Sequence, residues 1–118
     1  MKIRFRAIKR VAEDVLNREV EIHLSSQLID RIGCIAEINH SLHILINSNI
    51  VKTEEQVIAV VIHELAHVKS KSFSHTNLFY SEQEKLVKIF SKRLGVSKDI
   101  LRRLLVNIHV YEKENNRE

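Results

Sequence analysis

The 118-residue chain has one cysteine, no proline, no tryptophan and two glycines, and its aromatic residues are four Phe and two Tyr. A lone Cys34 excludes an intramolecular disulfide, so a cytoplasmic chain is the simplest expectation. No apolar run approaches the roughly 18–20 residues needed to span a bilayer. The opening MKIRFRAIKR alternates charged with apolar residues and lacks the continuous apolar stretch of a signal peptide. What is present fits a soluble globular protein: 44% apolar and 29% charged residues, too apolar for a disordered chain. The length suits one domain, residues 1–118, around a modest core.

The net charge of +4 is unevenly spread. Residues 2–10 hold five basic side chains and no acidic one, and residues 85–103 hold seven basic residues against Asp99 alone. Such stripes can track phosphates. Without aromatic residues between the charges to stack on bases, solvated helix faces are the plainer reading.

Residues 3–17 read as an amphipathic helix, with Phe5, Ile8, Ala12, Val15 and Leu16 at helical spacing. The period then falls to two. Val20, Ile22 and Leu24 share one strand face, Ile32, Cys34, Ala36 and Ile38 a second, and Leu42, Ile44 and Ile46 a third. A tight turn at Asn39-His40-Ser41 joins the last two strands. Thr53 followed by Gln56 is a capping box, and it opens an almost wholly apolar helix that would lie over the sheet. After a polar linker, Lys69 to Ser74, a second helix begins at His75 and stops at Gly95. Ser97 caps a final helix with Leu101, Leu104, Leu105 and Ile108 on its apolar stripe, and the tail from Glu112 is expected to fray.

Within the apolar helix, His63 and His67 are four residues apart, so both rings project from one face and can meet one metal ion at about 2.0–2.1 Å. Glu64 points to the side of that pair, where it can act on a water held by the ion as general base. Two histidines and a glutamate are poor occupants of an apolar core, because each needs partners for its polar atoms. A bound cation answers all three demands.

The segment VVIHELAHVKSKSFSHTNLFYSE resembles the active-site segment of small zincin metallopeptidases of the YgjP, WLM and SprT-like group. In size the chain is similar to the archaeal minigluzincins. The resemblance covers residues 30–85 and is sharpest at 60–80. It implies Zn²⁺ on His63, His67 and His75, with Glu64 as catalytic base. The linker of seven residues between His67 and His75 is longer than the YgjP and WLM pattern. Glu82, on one line with Phe79, Leu86 and Phe90, is a rival third ligand, since an inward carboxylate on the following helix completes gluzincin-type sites.

Cys34 reads as a core residue, His40 and His43 as hairpin residues, and His23 as outward-facing. Tyr80, His109 and Tyr111 are candidates to hydrogen-bond an oxyanion. The expected protein is therefore α+β: an N-terminal helix, a three-stranded sheet, the HExxH helix and two closing helices. Its expected activity is zinc-dependent hydrolysis of a protein or peptide substrate, with no membrane partner. Two other classes stay open: a DNA-associated, SprT-like protease contacting nucleic acid through the basic stripes, and a zinc-stabilised binding module without activity.

Overall fold

The computed structural model describes residues 2–28, 30–72 and 74–115. Its elements are α1 (Phe5–Leu16), β1 (Val20–Ser25), β2 (Gly33–Ile38), β3 (Ser41–Asn47), α2 (Glu54–Ser70), α3 (Asn77–Leu94) and α4 (Lys98–Asn115). The class is α+β, as the hydrophobic periods indicate. The sheet order is β1-β3-β2, with β1 parallel and β2 antiparallel to β3. Asn39 and His40 form the two-residue turn between β2 and β3, both with positive φ (51° and 71°). That backbone matches the twist of a hairpin, and Asn is among the residues that tolerate it best.

Register separates the two sheet faces. Val20 and Ile22 on β1 stand beside Leu42 and Ile44 on β3, and these meet the helices. The register of β2 places Gly33 opposite Ile46 and Ile35 opposite Ile44. Gly33 and Ile35 therefore face inward, while Cys34, Ala36 and Ile38 face outward, which corrects the expected inward set. Ile32 is buried, but it precedes the strand. The reason is steric. A Cβ on Gly33 would sit 2.6 Å from Val60 Cγ1 and 3.2 Å from the Leu45 carbonyl oxygen, so glycine lets α2 approach the strand. Counting apolar side chains skips a glycine, and the inferred phase slips by one residue.

Gly33→Ala should therefore cost about 1–3 kcal/mol of stability, the usual range for overpacking. Adding Val60→Ala should recover much of that loss, because the clashing methyl is then absent. Chemical denaturation of the three proteins measures both effects. An unchanged midpoint in Gly33→Ala would show that the contact relaxes freely.

The central helix is held at both ends. Thr53 Oγ1 accepts from Gln56 N at 3.2 Å, and Gln56 Oε1 accepts from Thr53 N at 2.9 Å. At its first turn, Glu54 takes a two-pronged contact from Arg4, with both bonds at 2.9 Å. The same Arg4 donates to the Leu94 carbonyl at the end of α3, so the N-terminal segment ties two helices together. From Val57 to His67 every residue of α2 is buried, with the sheet on one side and α3 and α4 on the other. Asn47, also buried, donates to the Leu28 and Arg31 carbonyls and fixes the loop that leads into β2.

Two boundaries differ from expectation. The helix α3 begins at Asn77, with Thr76 as its N-cap, so His75 precedes the helix and lies on no face of it. The helix α4 continues to Asn115, so residues 112–115 are helical and not frayed; residues 116–118 lie outside the described residues.

Candidate metal centre

The site is built on α2 and closed by the segment that follows it. His63 and His67 are one turn apart, with ring centroids 4.9 Å from each other. After Ser70 the chain reverses through Lys71, which adopts the left-handed conformation (φ 56°) usually left to glycine. Two bonds support the reversal, from Lys71 N to the Val68 carbonyl and from Ser72 N to the His67 carbonyl. The returning chain brings the His75 ring to 5.3 Å from His63 and 5.2 Å from His67. Below them, the buried Phe79 ring packs against all three imidazoles at 4.6–5.4 Å.

One ligand-type nitrogen from each of His63, His67 and His75 lies within 4.8 Å of the other two. A second group with the same spacing joins His63, Glu64 and Glu112. Glu82 belongs to neither among the described residues. It is half-buried and pairs with Lys85 Nζ at 3.5 Å. With His75 ahead of the helix, the two competing third ligands no longer share a helical line.

Hydrogen bonds fix where the imidazole protons sit. His67 Nδ1 is 2.8 Å from the Ser72 carbonyl, which can only accept, so Nδ1 carries the proton and Nε2 keeps its lone pair. Among the described residues, His63 Nε2 is buried without a well-aligned hydrogen-bond partner. Glu112 Oε1 stands 3.1 Å from that nitrogen and 3.7 Å from His75 Nε2. The orphaned nitrogen and the converging imidazoles fit a divalent cation bound by nitrogen donors.

The electrostatics agree. Burial pushes the Glu64 carboxyl up to about 7; nearby Glu112 adds to the rise and His63 opposes it. Among the described residues Glu64 forms no ion pair with Lys or Arg. Burial also pushes His75 down to about 4, helped by His63, His67 and His109, and it lowers His67. Both are thus neutral near pH 7, as metal ligation requires. For Glu112, burial works against the charge, but His63, His75 and His67 outweigh it and hold the carboxyl below its ordinary range.

Glu112 was not legible as a site residue because the tail from 112 was expected to fray. A signal was present: the stripe Leu101, Leu105, Ile108 continues to Glu112 at the same helical spacing. Beside the site, an apolar cavity of about 170 Å³ opens between α2 and α4, lined by Val60, Ile32, Leu104, Ile108 and Tyr111. Val60 is one turn before Glu64, and both side chains come close to Gly33.

The weaker candidates fall elsewhere. Cys34 is half-buried on the outer face of β2, where burial raises its thiol pKa and Glu64 adds to the rise. His23 Nε2 meets His43 Nδ1 at 3.0 Å on the same outer face. His40 is in the hairpin turn. Of the three oxyanion candidates, His109 is bonded to His75, Tyr80 lies beside His109, and Tyr111 lines the cavity. In the basic stripe, Arg93 pairs with Asp14 at 2.8 Å and Arg102 with Glu84 at 2.6 Å, so part of its charge is compensated. Among the described residues, no helix is long and apolar enough to cross a membrane.

No protein-family model matches the chain, and no curated protein does. Among solved structures, the fold is similar to that of the metallopeptidase zymogen of Pyrococcus abyssi abylysin. That likeness has a TM-score of 0.59 and 23% identity, over 89% of this chain and 95% of that one. It is also similar to the metallopeptidase zymogen of Methanocaldococcus jannaschii jannalysin, with a TM-score of 0.53 and 22% identity over 91% and 95%. At such identities the likeness is one of fold: four helices and a three-stranded sheet, arranged as in these two metallopeptidase zymogens.

Proposed function

We propose that this protein is a zinc-dependent metallopeptidase in which His63, His67 and His75 hold the ion and Glu64 is the general base. The observation that carries this reading is the meeting of three imidazole nitrogens within 4.8 Å beside the buried Glu64 carboxyl. The fold it shares with two metallopeptidase zymogens supports the same class. So does the HELAH segment, with its resemblance to the YgjP, WLM and SprT-like group.

When bound, zinc polarises a peptide carbonyl and lowers the pKa of a water toward about 7. The chain's own residues do the rest. The three histidines converge to hold the ion, and the His67–Ser72 bond fixes the tautomer of one of them. Glu64 accepts a proton from the attacking water and returns it to the departing amine. Its position against Gly33 puts it beside β2, an edge strand, where an extended peptide can add as a further strand. The apolar cavity lined by Val60 would take one apolar side chain of that peptide.

Zinc binding tests the ligand set. His75→Ala should lower zinc affinity by at least about 10-fold, because two histidines hold zinc poorly near neutral pH. Glu82→Ala should leave it nearly intact. Zinc retained in His75→Ala and lost in Glu82→Ala would move the third ligand to α3.

A second reading concerns the state of the site, and the Glu112 contact favours it. With Glu112 beside His63, the donors number four, which closes a tetrahedral site and leaves no position for water. In that state the protein is latent, and α4 is the element that holds it so. The two structures of similar fold are both zymogens. Four protein donors also suit a purely structural zinc, the binding module without activity. Glu64 speaks against that, since a structural site needs no base. Contact of the basic stripes with DNA is a lesser proposal, resting on Lys88, Lys92 and Arg103.

A further inference from the structure

We infer that His109 is a positioning residue for the third ligand: it fixes the proton of His75 on Nδ1 and so sets how tightly the site binds zinc. The inference rests on the zinc reading above and adds to it a residue outside the ligand set. His109 lies on α4, remote in sequence from the HELAH segment, and its Nδ1 is 3.0 Å from Nδ1 of His75. Two nitrogens at that distance share one proton. If it sits on His109, then His75 carries its own proton on Nε2, the atom 3.7 Å from Glu112 Oε1, and it cannot be a ligand there. If it sits on His75 Nδ1, then Nε2 presents a lone pair to the centre. The His109 acceptor is thus the condition for ligation through Nε2.

The comparison with His67 sharpens the point. Its Nδ1 proton is held by a backbone carbonyl, an acceptor that cannot change role. His75 precedes the N-cap of α3, and the acceptor that meets its Nδ1 comes from a different helix. The Tyr80 hydroxyl is 3.5 Å from the same His109 nitrogen, at the outer limit of a hydrogen bond, and it competes weakly with the His75 contact. His109 and Glu112 stand one turn apart on α4, so that helix touches the site at two atoms with different tasks: one orients a ligand, the other offers a carboxylate.

Two substitutions separate orientation from simple packing. His109→Phe keeps a ring of similar size but removes the acceptor, whereas His109→Asn offers an amide oxygen close to where Nδ1 stands. Zinc affinity is measured by competition with a chromogenic chelator, on the full chain with Glu112 intact. His109→Phe should bind zinc about 10–100-fold more weakly than wild type, and His109→Asn should stay within about threefold of it, the scale expected of partners behind a metal-bound histidine. Melting of the metal-free forms shows whether each variant folds. Equal affinity in all three proteins would overturn the assignment, as would equal weakening in Phe and Asn variants that both fold. Wild type that binds no zinc would overturn the zinc reading itself. A separate measurement needs no variant: nitrogen NMR of the zinc-loaded wild type should show the His75 proton on Nδ1. Metal on that nitrogen instead would overturn the role of His109.

Discussion

Replacing Glu112 by alanine should raise peptide cleavage by roughly tenfold or more, with zinc still bound at about one per chain. Only about 1.4 kcal/mol of carboxylate contact is needed for a tenfold change in the open fraction. The Glu112 contact exceeds a surface ion pair in two ways. His63 Nε2 is buried, and Glu112 Oε1 is 3.1 Å from it. The side chain of Glu112 is itself only 19% exposed, so solvent screens the contact weakly. Removing it frees a coordination position while leaving three histidines in place. Hydrolysis of a fluorogenic peptide library, compared at equal zinc loading, measures the effect. Unchanged cleavage in Glu112→Ala would mean that this carboxylate does not restrain the site. Zinc loss in that variant would instead make Glu112 a structural ligand and favour the module without activity.

The second large effect belongs to Glu64, and it is best seen in the Glu112→Ala background, where the site is open. There, Glu64→Ala should lower cleavage by about 10²–10⁴-fold, the range for losing a general base. Zinc content should stay near one per chain, because His63, His67 and His75 form a ligand group without Glu64. Burial is the main cause that raises its carboxyl, and it persists without Glu112, so the group suits proton transfer. Cleavage that persists at the parent rate would remove Glu64 from the mechanism.

Much of the site was legible because its logic is local. The four-residue step from His63 to His67 and the Thr53–Gln56 capping box lie within single turns of one helix, where spacing dictates geometry. The Asn39-His40 turn was equally readable, since two adjacent strands need a short reversal. The resemblance points to His75, but periodicity starts the helix there and the structure starts it at Asn77, because Thr76 is the better cap and periodicity alone does not locate it. The phase of β2 was lost at Gly33, where the decisive contact is the absence of a side chain. Glu112 and His109 reach the histidines across more than thirty residues of sequence, and no spacing rule within α4 ties them to α2. Their placement is a tertiary fact. The parallel pairing of β1 with β3 is of the same kind, since three strands with one apolar face each can be ordered in several ways.

One feature of α1 bears on self-association. Val20 opens β1, the outer strand opposite β2, and both of its backbone polar groups are taken by side chains of α1. Glu13 Oε2 accepts from Val20 N at 3.1 Å, and Lys9 Nζ donates to the Val20 carbonyl at 2.9 Å. Lys9 and Glu13 are also paired with each other at 2.7 Å. A strand from a second molecule would thus meet an occupied first rung and a charged pair, not open amides. Bare sheet edges are where proteins nucleate edge-to-edge aggregation. In this molecule the helix that precedes the sheet covers the start of one edge, which biases any added strand toward the opposite edge, beside Glu64.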